Sequence, residues 1–329
     1  MFTSRQVLMK FIIPALALLV PLAGHTQTFP TKPVVIKVAY PAGGPADVAI
    51  RDYTPSLPQQ LGQPAVVENV SGANGSIAAM SVLQAAPDGH TLLGIVASDL
   101  ILAPKIVPSA RFKPDDFRAV AITQQSELVL ISSPKHAFKK VDDLVRYAKA
   151  NPGKPLSIGH WGNGSITHVA GADFAARAGI NLLQVPYRGA APVLPDLTSG
   201  NVDLTFFPLA GPLLGFIQAG HVKPIALAAN TRSAQLPDVP TINESAAVKD
   251  FAYTIWSGVF ASKQVPEAVI QRLNKVFGAH TLSPEWRGRQ VTVGATVFDL
   301  KDVKQTEDFF AAEIKKVEAA AKVVRFDTN

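Results

Sequence analysis

The chain has 329 residues with no cysteine, and its 31 Lys and Arg against 25 Asp and Glu give a formal charge of +6. The missing cysteine excludes a disulfide framework, a thiolate metal site and a lipid-anchored cysteine. Basic residues form no dense run, only pairs such as Lys139-Lys140 and Lys315-Lys316, so the concentrated stripe of a nucleic-acid binder is lacking.

Residues 1–10 carry Arg5 and Lys10, and an apolar stretch from Phe11 to Leu22 follows, ending in the small residues Ala23 and Gly24. This pattern predicts a signal peptide over 1–27, cleaved between Gly24 and Thr28. Pro14 and Pro21 and the short length argue against the competing reading, an uncleaved membrane anchor. Cleavage removes two basic residues, so 31 − 2 = 29 face 25 acidic ones and the formal charge falls to +4. The expected product is a soluble periplasmic monomer. What remains is more chain than a single core usually serves, so two lobes are expected.

Residues 34–40 read as a strand and 47–61 as a helix, followed by a strand over 65–69, a helix over 75–86 and a strand over 91–97. Ser98 and Asp99 are expected in the loop after it. The alternation then restarts with strands over 128–132, 156–159, 182–185, 202–206 and 224–229, and helices over 141–150, 165–178, 192–199 and 212–219. Residues 251–261 read as extended, while 266–277 and 303–323 read as helices. Such alternation predicts an α/β protein in which each lobe is a mostly parallel sheet flanked by helices. Crossings near 124–127 and 222–226 divide it into a first lobe over 28–125, a second over 126–224, and a return to the first over 225–329. Two crossing segments make a hinge.

Two glycine-rich strand-to-helix turns carry the functional argument. The first runs Tyr40-Pro41-Ala42-Gly43-Gly44-Pro45-Ala46-Asp47, and the second Gly159-His160-Trp161-Gly162-Asn163-Gly164-Ser165. Ligands of open parallel sheets sit outside the carboxyl ends of the strands, where both turns lie. Glycine leaves backbone N–H groups uncovered at the positive end of a helix, a ready anion site, so one turn per lobe predicts a carboxylate gripped from both sides. Asp47 either contacts the ligand or favours the helix dipole by about 0.3–1 kcal/mol. Ser165 and Asn163 cap the helix or donate to the anion, and His168 hydrogen-bonds within the turn or tunes the ligand. Trp161, with Tyr40 and Tyr187, shapes an apolar wall or packs. A third turn, from Val70 to Ser76, is expected to contribute a cap through Ser71 or Asn74 rather than ligand contact. Neither a dinucleotide fingerprint nor a Walker loop is present.

In order along the chain, Pro41-Ala42-Gly43-Gly44-Pro45-Ala46-Asp47, Leu61-Gly62-Gln63-Pro64-Ala65-Val66-Val67-Glu68-Asn69, Ala86-Pro87-Asp88-Gly89-His90-Thr91-Leu92-Leu93, Gly162-Asn163-Gly164-Ser165 with His168, Val185-Pro186-Tyr187-Arg188-Gly189, Gly200-Asn201-Val202-Asp203 and Leu236-Pro237-Asp238-Val239-Pro240-Thr241 resemble the solute-binding proteins of tripartite tricarboxylate transporters, the Bug or TctC-like family. The resemblance implies a two-lobed, type II periplasmic binding fold without catalysis or cofactor. It also implies a small organic acid held by main-chain amides of the two turns and handed to membrane permease subunits. Three departures bear on the ligand: Ala46 stands where Thr or Ser is frequent, Trp161 where a small residue is usual, and Asp99 where the loop is usually uncharged. Asp99 therefore points to solvent or meets an ammonium, hydroxyl or ring nitrogen of the ligand. The expected ligand set is Tyr40, Ala42, Gly43, Gly44, Asp47, Ser98, Asp99, Trp161, Gly162, Asn163, Gly164, Ser165, His168 and Tyr187. A periplasmic sensor would use the same cleft. An exported hydrolase using Ser165 and His168 lacks the G-x-S-x-G elbow, and no H-E-x-x-H metal spacing occurs.

Overall fold

The computed structural model describes residues 29–210, 212–292, 295, 297–300 and 302–322. The expected signal peptide lies outside them. In chain order the elements are β1 (Val34–Val38), α1 (Pro45–Tyr53), α2 (Leu57–Leu61), β2 (Ala65–Asn69), α3 (Ser76–Leu83), β3 (Thr91–Val96), α4 (Ala97–Ile106), β4 (Phe117–Ser132), α5 (Val141–Ala150), β5 (Leu156–His160), α6 (Ile166–Ala178), β6 (Leu182–Pro186), α7 (Val193–Ser199), β7 (Leu204–Pro208), α8 (Leu213–Gln218), β8 (Lys223–Leu227), β9 (Thr254–Ser262), α9 (Glu267–Thr281), α10 (Pro284–Thr292) and α11 (Val303–Ala321).

The strands run in the order β2-β1-β3-β9-β4-β7-β5-β6, with β8 also on β4. Pairing is parallel on both outer flanks, where β1 joins β2 and β3 and where β5 joins β6 and β7. The centre is antiparallel. Residues 117–127 of β4 pair with β9, and residues 128–132 pair with β7 and β8. One strand thus belongs to both halves of the molecule. Each half buries its inner helix faces on the sheet, with Ile50, Leu92 and Phe260 in the first core and Phe174, Phe206 and Leu197 in the second.

The return of the chain comes later than expected. Segment 222–226 lies largely in β8, paired with the far end of β4, and the first half is re-entered at β9, where Leu128 N–H bonds the carbonyl of Tyr253. The helix expected over 47–61 breaks into α1 and α2, because Pro55 has no N–H and its ring opposes the preceding turn. Ser98 and Asp99 do not form a loop: β3 passes directly into α4, placing both in its first turn. The charged helix α10 escaped the sequence reading since it lacks an apolar stripe, and its buried Trp286 is held against Tyr53 and His280 instead.

Candidate functional site

β1 ends at Val38, and Pro45 opens α1 at a position where its missing N–H costs nothing. Gly44 is the N-cap in an extended conformation, and α1 has no side-chain cap. Its first-turn amides are therefore left for another partner. Asp47 takes a different part from the ligand contact considered above. Its buried carboxylate accepts from the Gly43 amide at 2.9 Å, from Asn69 Nδ2 at 2.7 Å and from Arg51 Nε at 3.0 Å. Burial alone would push this carboxyl up, but the donors of Asn69, Gly43 and Arg51 outweigh it and hold it below the ordinary value. Asn69 Nδ2 also reaches the Tyr40 carbonyl at 2.9 Å, so the turn is clamped at both ends. Replacing Asp47 by alanine orphans these donors and should cost about 2–3 kcal/mol of stability in urea unfolding. An unchanged midpoint would show that the clamp carries no weight. Ala42 and Gly43 lie on the exposed side of the turn, whereas Gly44 and Ala46 are buried.

The second turn consumes several of its own donors. Trp161 N–H bonds Thr167 Oγ1 at 3.1 Å, Ser165 N–H bonds the Gly162 carbonyl at 3.1 Å, and Gly164 N–H bonds His168 Nδ1 at 3.0 Å. Ser165 is the N-cap of α6, its Oγ accepting from His168 N–H at 3.3 Å. The amides of Gly162 and Asn163 make no hydrogen bond among the described residues. His160 stacks on His168 with ring centroids 4.4 Å apart and donates from Nδ1 to the Gly162 carbonyl. Burial, then the neighbouring His168, lowers the His160 pKa to about 4, so the ring stays neutral.

Between the turns lies a cavity of about 650 Å³, bordered by Tyr40, Asn74, Trp161, Asn163, Tyr187 and Arg188 among others. Among the described residues that line it, Arg188 alone is charged. Trp161 also closes a smaller pocket against Gly44, Ala46, Val96 and Ala190, next to the uncapped end of α1. Its Nε1 is buried without a partner. Tyr187 forms part of the wall and donates to Asp196 Oδ2 at 2.8 Å.

Asp99 neither faces solvent nor lines either pocket. It is 1% exposed and lies behind Tyr40, whose hydroxyl donates to Asp99 Oδ2 at 2.6 Å and accepts from Val96 N–H at 3.1 Å. Burial pushes the Asp99 carboxyl up to about 7, against the opposing pull of the Tyr40 and Ser98 hydroxyls. Asp99 can reach a guest only through Tyr40. Ser98, also buried, sits beside it in the first turn of α4.

The third turn belongs to the cavity. Neither Ser71 nor Asn74 caps a helix: the N-cap of α3 is Gly75, with no side-chain bond. Ser71, Asn74 and Gly75 instead line the cavity wall. Both amide atoms of Asn74 are buried and unpartnered. The signal was present in Ser71-Gly72-Ala73-Asn74-Gly75, which repeats the strand–glycine–helix logic of the other two turns.

Across the seam the two halves touch closely. A Cβ on Gly162 would stand 3.6 Å from Asn74 Oδ1, and one on Gly164 only 1.9 Å from Ile106 Cδ1. Gly164, at φ +79, is reserved for glycine by both its conformation and its contact, whereas at Gly162 the φ of +128 alone disfavours a side chain. Among the described residues no helix is long and apolar enough to cross a membrane, and no group of three or more His, Cys, Asp or Glu could hold a metal.

The protein of the tcbD-tcbE intergenic region of Pseudomonas sp. (strain P51) is 34% identical over 264 residues, covering 80% of this chain and 78% of that one. MatC from Rhodopseudomonas palustris with bound malate superposes with a TM-score of 0.82 at 28% identity, covering 89% of this chain and 99% of that one. Rpa4515 of R. palustris with adipate gives a TM-score of 0.82 at 28% identity, covering 90% and 98%. The family model of the tripartite tricarboxylate transporter family receptor, TctC, matches residues 49–324. The chain belongs to the TctC family of binding receptors.

Proposed function

We propose that this protein captures a small organic carboxylate in the cleft between its two halves and delivers it to the membrane permease subunits of a tripartite transporter. In this reading it works as a monomer in the periplasm, after loss of its signal peptide. The observation that carries the proposal is the uncapped N-terminus of α1, which faces a small open pocket beside Trp161 that shares Tyr40 and Trp161 with the larger cavity. An anion there is favoured by the helix dipole and by N–H groups that have no other partner. Among the described residues, the lining of the larger cavity includes Arg188 and no acidic residue, an electrostatic setting that suits an organic acid. The malate and adipate complexes of the two R. palustris relatives agree with that chemistry.

A thermal-shift screen of the mature protein against organic acids tests this. A ligand present at about a hundred times its Kd stabilises the native state by about 2.7 kcal/mol, so the binding acid should raise the Tm clearly. The reading fails if no acid moves the Tm at millimolar concentration, or if neutral sugars and amines move it equally.

A further inference from the structure

Asp99 stands directly behind a side chain that the guest meets. Its Oδ2 accepts from the Tyr40 hydroxyl at 2.6 Å, while Oδ1 is buried without a hydrogen-bond partner. An ionised carboxylate has room for about four donors, and one oxygen here has none, a setting that suits the neutral acid better than the anion. Among the described residues Asp99 makes no ion pair, and the elements packed on α4 bring it no countercharge. Strands β3 and β9, helix α3 and the turn over 73–75 carry no titratable residue. From α11, Glu318 is paired with Lys105, and Glu313 with Lys316 and Trp256 Nε1. Tyr40 is thus the one titratable group that faces Asp99.

Tyr40 also makes the connection to the guest. It borders both the pocket at the uncapped end of α1 and the larger cavity. Its hydroxyl accepts from Val96 N–H at 3.1 Å while donating to Asp99, so it stays turned away from the guest. A carboxylate at α1 and the carboxyl of Asp99 then have one tyrosine side chain between them. Two negative charges so placed, with water excluded, oppose each other.

We propose that capture of the carboxylate guest is coupled to uptake of a proton by Asp99, so that the loaded protein holds Asp99 as the neutral acid and gives up the proton when the guest leaves. This rests on the carboxylate reading above. Burial already raises the Asp99 carboxyl to about 7, so near neutral pH the empty protein is divided between the two forms and the guest decides between them. Affinity is highest at low pH, where the proton is already in place, and falls as pH rises. His160, lowered to about 4, is neutral throughout this window.

The test is calorimetric titration of the mature protein with malate, adipate, benzoate and hexanoate, acids that are themselves ionised above about pH 6.5. Buffers of different ionisation enthalpy count the protons exchanged. An acid that binds should bring in about half a proton per molecule near pH 7.5, and its Kd should rise about tenfold between pH 6.5 and 9. Asp99→Asn should abolish the uptake and flatten the dependence of Kd on pH. Asparagine keeps the acceptor for the Tyr40 hydroxyl, and thermal melting checks that the variant is folded. Tyr40→Phe removes a donor that favours the charged form, so it should move the window of uptake to higher pH. Binding without proton exchange in the wild type, or uptake that persists undiminished in Asp99→Asn, overturns the coupling and leaves the carboxylate reading intact. Absence of binding by all four acids at every pH overturns the carboxylate reading and this proposal with it.

Discussion

Replacing Asp99 by asparagine should stabilise the protein by an amount that grows with pH, from almost nothing near pH 4 to about 4 kcal/mol at pH 8. The cause is burial. In the folded chain the carboxyl is raised from 3.8 to about 7, and no cation neutralises it. Between those two values the unfolded chain is ionised and the folded chain retains its proton. Above about pH 7 the folded chain must carry a buried charge. Stability contributed at this position therefore falls as pH rises through the window, and asparagine removes the penalty while still accepting from the Tyr40 hydroxyl. His160 acts in the opposite direction. Its folded-state pKa is lowered to about 4, so stability is lost as pH falls from 6.5 toward that value. These two contributions oppose each other in the wild type. The informative quantity is the difference between Asp99→Asn and wild type, measured by urea unfolding across the range. A difference that does not change with pH would falsify the account.

Substituting Gly164 by alanine should weaken ligand binding about tenfold to a hundredfold, and Ile106→Ala on the same background should recover most of that loss. Two effects separate here. A left-handed alanine costs about 1–2 kcal/mol whether or not ligand is present, and so appears as lost stability. The overlap of the new Cβ with Ile106 Cδ1 arises only where the second half meets the first. It is a cost on closure, and shortening Ile106 removes it without touching the backbone strain. Titration of the single and double variants with the acid found by thermal shift decides the matter. If the double variant binds no better than Gly164→Ala, the contact does not govern closure.

The parts of the fold with local causes were legible in advance. Val34, Ile36 and Val38 alternate inward as a buried strand should, and the Gly-Gly-Pro sequence after them ends the strand and starts α1 as read. Trp161 reads as either wall or packing, and it has both places: it borders the two pockets and packs edge-on against Phe207. What escaped depended on contacts distant in sequence or on a side chain turning back on its own turn. Asp47 folds back onto Gly43, and His168 onto Gly164, so donors counted as free from glycine content are already engaged. Asn74 was expected to cap a helix, but the backbone turns left-handed there and Gly75 takes the N-cap of α3, which leaves Asn74 on the cavity lining. Asp99 was placed in a loop since nothing in its neighbourhood announces that Tyr40, fifty-nine positions away in sequence, will cover it.

The uninterrupted passage of β4 through both halves, with β9 alongside it, has a mechanical consequence. A pair of loops would let the halves swivel freely, but a hydrogen-bonded ribbon resists twisting and yields mainly where its ladder is already irregular. The register shifts at residues 119–121 and 122–124 are such places, so bending concentrates there. For the same reason the molecule has no waist at which to cut it. Severing it at residue 127 would leave each fragment a stump of β4 with raw, unpaired backbone, and grafting a foreign second half would require transplanting the ribbon as well.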